Sequence, residues 1–357
     1  MKLLKAYRKQ TISVLLLLGL TGTVITGCGG GTLKAIPTPG PVETSTPIPT
    51  TAPSPTPVPA PYSFPFTGMP SQEEVKSRPF IVMVENSPQA RPQTGLDQAD
   101  IVYEILAEGE ITRFVAVYQS QDAKVIGPVR SIRPYFVEIG AGLDAVIVHA
   151  GWSQDAMNIL VGRKLAHLDQ VYGDDAFYWR DKDRKAPHNL YTSVEKMKLG
   201  AETRKFREEW KGPVLSFAKD GKSTFQTSSA ATSATKIEIP YISGYVVSYE
   251  YDVESGQYKR TMAGKPHLDK ESEKQLTATN LLVLESKHQI LDNAGRRNVD
   301  IFGPGKGIML QQGKQIEVTW EQKNGIIRAY DGANEVRLLP GTTWVQIVPI
   351  NSAVKVE

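Results

Sequence analysis

The 357-residue sequence holds one cysteine and five histidines. One thiol excludes a disulfide framework and any zinc site built from several thiolates. Net charge is also nearly absent. The 41 Lys+Arg stand against 38 Asp+Glu, a formal +3, which gives no basis for general nucleic-acid binding. No glycine-rich loop is followed by Lys-Ser/Thr at phosphate-loop spacing, Gly140-Ala141-Gly142 included, and no nucleophile elbow occurs. What is present is enough apolar material to fold, with 40% hydrophobic and 22% charged residues. The length suits two domains of roughly 150 residues each.

The N-terminus carries Lys2, Lys5, Arg8 and Lys9, then the apolar stretch from Ile12 to Leu20 with Val24 and Ile25 beyond it. That core is too short and too glycine-broken to span about 30 Å of hydrocarbon, and reads as a signal peptide over residues 1–27. Ile25-Thr26-Gly27-Cys28 resembles the lipobox of bacterial lipoproteins, so Cys28 is expected to carry the lipid. Cleavage before it removes four basic and no acidic residues and moves the formal charge from +3 to −1. A polybasic second anchor is then missing, and the acyl chains alone supply the attachment.

Residues 28–61 form a tether. Ten prolines fall between Pro37 and Pro61, interleaved with Thr, Ser, Ala and Val. Such a segment cannot bury a core and favours polyproline II. At about 3.1 Å per residue it reaches on the order of 80–100 Å when extended. A ligand for a proline-recognition domain is the sharper reading of the same residues.

The fold class expected beyond the tether is α+β: an N-terminal mixed α/β domain over 62–215, a connection over 216–235, and a mainly β domain over 236–357. Phe80–Glu85 reads as a buried strand. Residues 99–108 and 111–120 read as two more, joined by Gly109-Glu110 as a two-residue hairpin loop. That register sets Leu106 opposite Arg113, and Glu104, Glu108 and Arg113 on one face. Residues 125–129 read as a fourth strand and 144–149 as a fifth. Pro134 starts one helix, Ser153 caps a second to about Val161, and Ser193 opens a third to Trp210. The C-terminal part carries many short strands at near-regular spacing, the texture of a sandwich or partly open barrel.

Several residues are candidates for chemistry. Arg130 and Arg133 sit just before a helix N-terminus, a place suited to an anion; pairing with Glu85 or Glu104 is the plainer alternative. His149 ends a strand before a glycine turn. Arg180, Arg184 and His188 lie in an aromatic and charged stretch from Phe177 to Tyr191. Together with Arg91 and Arg113 these side chains are the candidate ligand site. His267 and Asp269 are two possible metal ligands, too few for a site, and no metal or cofactor is expected.

Four stretches carry a family resemblance: 90–96 (ARPQTGL), 108–114 (EGEITRF), 126–133 (IGPVRSIR) and 184–193 (RKAPHNLYTS). With Tyr249-Glu250-Tyr251-Asp252, Tyr258-Lys259-Arg260 and Pro340-Gly341-Thr342-Thr343-Trp344, they resemble the YerB-like lipoproteins of Gram-positive bacteria over roughly residues 66–350. The resemblance implies a two-part extracytoplasmic lipoprotein. That family carries an unknown-function label and brings no established active site.

The expectation is therefore a lipid-anchored module on the extracytoplasmic face of the cell membrane. It would bind an anionic envelope polymer, a lipid-linked intermediate or a membrane-protein partner, and not nucleic acid. One alternative is an envelope hydrolase or phosphotransferase using an arginine-rich pocket with His149 or His188 as acid/base. Another is a structural scaffold whose charges are internal ion pairs.

Overall fold

A computed structural model describes residues 60–357 apart from 219–222, 224, 226–227 and 243–244. The signal peptide, Cys28 and the tether lie outside the described residues. Phe80–Glu85 is buried at every position and forms strand β1. Ile101–Leu106 (β2) and Thr112–Tyr118 (β3) are likewise buried throughout, as strands covered on both faces must be. Pro134–Gly142 forms helix α1 with its proline in the first turn. Val146–His149 (β4), Gln154–Gly162 (α2) and His167–Asp169 (β5) follow. The Ser153 hydroxyl accepts from Ala156 N at the start of α2. Val194–Thr203 is α3, capped by Ser193. It stops short of Trp210 because Lys205 takes a left-handed φ of 55°, the conformation that commonly ends helices.

The C-terminal part is mostly strand. Its longer elements are Lys236–Ile242 (β6), Tyr245–Asp252 (β7), Gln257–Met262 (β8), Asn280–Ser286 (β9), His288–Ile290 (β10) and Arg297–Val299 (β11). Gly305–Gln311 (β12), Lys314–Lys323 (β13), Ile326–Asp331 (β14), Thr343–Pro349 (β15) and Lys355–Val356 (β16) complete them. The molecule is thus mixed in its N-terminal region and mostly β in its C-terminal region.

These strands do not close on themselves as a separate sandwich or barrel. One sheet runs in the order β14-β13-β12-β9-β15-β2-β3-β1-β4-β5. The crossing point is β15, which pairs in parallel with β9 on one side and with β2 on the other. The described residues from 60 to 357 accordingly form one compact unit. A second sheet, built on β8-β7-β6-β16, covers one face together with α3, enclosing Val82, Val102, Phe114, Tyr249 and Trp344. Helices α1 and α2 cover the other face over Ile81, Met83, Val115, Phe136 and Leu160.

Two local expectations are corrected. The β2–β3 register is one residue off the expected one: Ile105 faces Arg113 and Leu106 faces Thr112. The loop holds Glu108, Gly109 and Glu110, with Ile111 N bonding Glu108 O and Gly109 at a φ of 55°. A slip of one residue exchanges the faces of a strand. Glu104 therefore points to the face of the second sheet, and Arg113 to the opposite face. Residues 125–129 form no strand: Gly127-Pro128 interrupts them, and single bridges survive, Val129 with Val84, Gly127 with Thr94 and Ile126 with Thr192.

Candidate functional site

The register fixes where chemistry gathers. Strands β9, β15, β2, β1, β4 and β5 all run one way, with β3 alone reversed among them. Their carboxyl ends hold Glu85, His149 and Asp169, the Glu108 turn follows β2, and Arg113 lies at the start of reversed β3. Open α/β sheets bind ligands outside that edge. Residues 127–133 cross it, delivering Arg130 and Arg133, and α1 and α2 both begin there.

Two carboxylates organise four of the eight expected residues. Glu85 accepts from the Arg130 guanidinium at 3.0 Å and lies 2.9 Å from His188 Nδ1. Ser87 donates its hydroxyl to Glu85 Oε1 at 2.8 Å, and stands 3.4 Å from the same His188 nitrogen. The 86–92 loop carries the rest of this group. Arg91 donates to Asn86 Oδ1 and to Asn86 O, at 3.1 and 2.7 Å, and lies over the Tyr245 ring. Arg184 donates to Ala90 O at 2.7 Å and Pro92 O at 2.6 Å. Among the described residues neither Arg91 nor Arg184 has a carboxylate within ion-pair distance.

Glu108 holds the second group. Arg113 reaches it at 3.0 Å and Arg133 pairs with it from the other side. Two guanidiniums on one carboxylate leave a surplus positive charge. Burial raises the Glu108 pKa, but Arg113 and then Arg133 more than offset this and hold it below its ordinary value. Arg133 is lowered, first by burial and then by its neighbour Arg113.

His149 stands apart from both. It is fully buried. Nδ1 donates to Gly151 O at 3.0 Å, so Nε2 accepts from His167 Nδ1 at 3.2 Å. Asp169 accepts from Gly151 N and Val171 N, fixing the turn rather than the imidazole. Arg180 is also separate, donating to Asn189 Oδ1 at 3.0 Å. His267 and Asp269 serve the core: His267 Nδ1 accepts from Arg260 Nε at 2.9 Å, and Asp269 accepts from Gly95 N at 2.6 Å.

Sequence reasoning missed Arg260, which lies fully buried against Glu104 at 2.8 Å, and Arg297, whose guanidinium bonds Gly109 O at 2.6 Å. Only the adjacent pair Arg296-Arg297 after the Gly295 turn signalled the latter.

The chain matches two family models in succession. Residues 66–207 match "Protein of unknown function (DUF3048) N-terminal domain" and residues 237–345 match its C-terminal domain. The chain belongs to this family. A curated relative in Bacillus subtilis (strain 168), named "Putative lipoprotein YerB", is 38% identical over 292 residues, covering 80% of this chain and 86% of that protein. A crystal structure of the YerB protein from Bacillus subtilis superposes with a TM-score of 0.75 at 35% identity, over 83% of this chain and 99% of that one. Among the described residues no helix is long and apolar enough to cross a membrane.

Proposed function

We propose that the folded unit is an accessory module that binds an anionic component of the cell envelope, held at the extracytoplasmic face of the membrane by a lipid on Cys28. The observation that carries this is the charge count at the carboxyl edge of the sheet. Arg91, Arg113, Arg130, Arg133 and Arg184 are fixed there, and among the described residues only Glu85 and Glu108 pair with any of them. Guanidiniums held by carbonyl oxygens keep their charge for a visitor, and their planar forks suit carboxylate or phosphate. The relative's name as a lipoprotein supports the anchor, and the proline tether supports a module held off the surface.

The hydrolase or phosphotransferase reading rests on His188, whose Nδ1 is oriented by Glu85. Ser87 is no nucleophile for it. Its hydroxyl donates to the same carboxylate and approaches the same imidazole nitrogen, so no free ring nitrogen takes its proton. His149 is enclosed and reaches no ligand. Binding without turnover therefore fits the geometry better.

The test uses Arg184→Glu and Arg130→Gln in the full chain. Both are expected to release an anionic envelope fraction that the wild type retains; Arg184→Glu should leave thermal unfolding unchanged, and Arg130→Gln should also lower it, because buried Glu85 loses its guanidinium. Undiminished retention by both variants sinks the reading. Turnover of that fraction, abolished by His188→Ala, would favour the enzyme instead. Cys28→Ser should shift the protein from the membrane fraction to the soluble one.

A further inference from the structure

Between the first turns of α1 and α2 and the β10–β11 hairpin lies a cleft of about 440 Å³, within the range of small-ligand sites. Arg133, Arg296 and Arg297 line it, with Pro134 of α1 and Ser153 of α2. We infer that this cleft is a phosphate site, built for a doubly charged phosphate group such as a phosphomonoester. The inference rests on the anion-binding reading above and names the chemistry and place of one subsite.

Charge is the first argument. Four guanidiniums, from Arg113, Arg133, Arg296 and Arg297, meet three carboxylates. Those are Glu108 under the first pair, Asp292 bonded to Arg296, and Asp155 in the first turn of α2. Each helix N-terminus adds roughly half a positive charge. The surplus is therefore about +2, which a dianion matches and a single carboxylate does not. The α1 N-terminus is open to such a ligand, having no side-chain cap and no acidic residue in its first turn.

Unmet donors are the second argument. Arg113 Nε, Arg133 Nε, Arg297 Nε and the Trp152 indole N–H are all buried without a hydrogen-bond partner. Buried donors normally find one. Two of the four, on Arg133 and Arg297, belong to side chains that line the cleft, and they mark a place whose polar groups are satisfied by something besides the protein.

Preorganisation is the third. The hairpin is latched to the β2–β3 turn: Gly109 N donates to Gly295 O at 3.1 Å and Arg297 donates to Gly109 O at 2.6 Å. Arg297 is thus held before any ligand arrives, while Arg296 is about half-exposed on the rim. Fixed forks lose little freedom on binding.

The experiment is calorimetric titration of the full chain in detergent with inorganic phosphate at low salt. Arg296→Glu leaves the latch intact and should weaken phosphate by at least about tenfold, the loss of one charge-assisted contact. Arg297→Gln should do the same, and Lys259→Gln, an exposed lysine of β8 paired with Asp252, should change affinity less than about twofold. Glycerol 3-phosphate and phosphatidic acid vesicles, run beside phosphatidylcholine vesicles, tell a soluble phosphate from a lipid headgroup, and binding of either supports the site. Phosphate no tighter than chloride, or unaffected by Arg296→Glu and Arg297→Gln, overturns it. In that case retention of the envelope fraction by the wild type would leave the broader reading standing, and its loss in Arg184→Glu would move the anion to the Glu85 group.

Discussion

Glu104 and Arg260, 156 residues apart in the chain, meet at 2.8 Å with both side chains fully buried. Glu104 Oε1 also accepts from Thr112 at 2.8 Å, Tyr245 at 3.1 Å and Asn86 at 3.2 Å. Arg260 spends its remaining donors on His267 and Tyr249 and lies 4.7 Å above the Trp344 ring. Burial pulls the arginine down, but Glu104 together with Tyr249 and Tyr245 outweighs it and keeps the guanidinium charged. Burial, then Arg260, pushes His267 well below its ordinary value, so it stays neutral and accepts.

Breaking one side of such a pair leaves an uncompensated buried charge. Glu104→Gln and Arg260→Met are each expected to lower stability by about 3–5 kcal/mol. The double variant should cost clearly less than their sum. Urea unfolding of the four proteins measures this, and additive losses would mean that the two residues do not depend on one another.

Gly142 ends α1 directly against Gly325 in the turn between β13 and β14. A Cβ on Gly142 would lie 1.9 Å from Gly325 O, and one on Gly325 2.4 Å from Gly142 O. Gly142→Ala is expected to destabilise by at least about 2 kcal/mol, although alanine is otherwise the better helix former. Gly162→Ala meets nothing within 4 Å, and should be neutral or stabilising by about 0.5–1 kcal/mol. Thermal unfolding of the two variants checks the contrast. Equal effects would remove the claim of backbone contact.

His149 is pushed down to about 4, chiefly by burial, with Asp169 opposing and His167 adding to it. An unfolded histidine titrates near 6.5. The stability gained by keeping it neutral is full above about 6.5 and is lost as the pH falls toward 4, on the order of 3 kcal/mol at most. His149→Gln should flatten the stability curve across that window. The reading fails if the slopes of variant and wild type coincide between pH 6.5 and 4.

The Glu108 group gives a prediction of opposite signs. Glu108→Gln leaves Arg113 and Arg133 facing each other, and should destabilise by about 1–3 kcal/mol. The same change should tighten inorganic phosphate, since the ligand no longer competes with a carboxylate. Arg133→Gln leaves Glu108 with Arg113, and should cost less stability while weakening phosphate. Paired unfolding and titration experiments decide, and a Glu108→Gln protein that binds phosphate less well contradicts the arrangement.

Local signals in the sequence located local features. The unbroken apolar run of β1, the Ser153 and Ser193 caps and Pro134 at the start of α1 each rest on neighbours within a few residues. The pairing of Arg130 with Glu85 was already the plainer alternative for that arginine. Register was not legible, because one extra loop residue at Glu108-Gly109-Glu110 decides which face Glu104 and Arg113 take. Nor was the position of β15, since nothing in Thr343–Pro349 says that both its neighbours lie in earlier parts of the chain. Nothing in the sequence marked Arg260 as buried. Its burial depends on Glu104, which no spacing connects to it.

The insertion of Thr343–Pro349 between Asn280–Ser286 and Ile101–Leu106 has a temporal consequence. Until about residue 349 has emerged, Ile101–Leu106 has an open edge and the sheet is two unjoined fragments. Such long-range pairing is slow to form and leaves sticky edges meanwhile. The protein therefore matures only where nearly the whole polypeptide is already present, and a truncation that spares every N-terminal residue but stops before Thr343 should leave an aggregation-prone remnant.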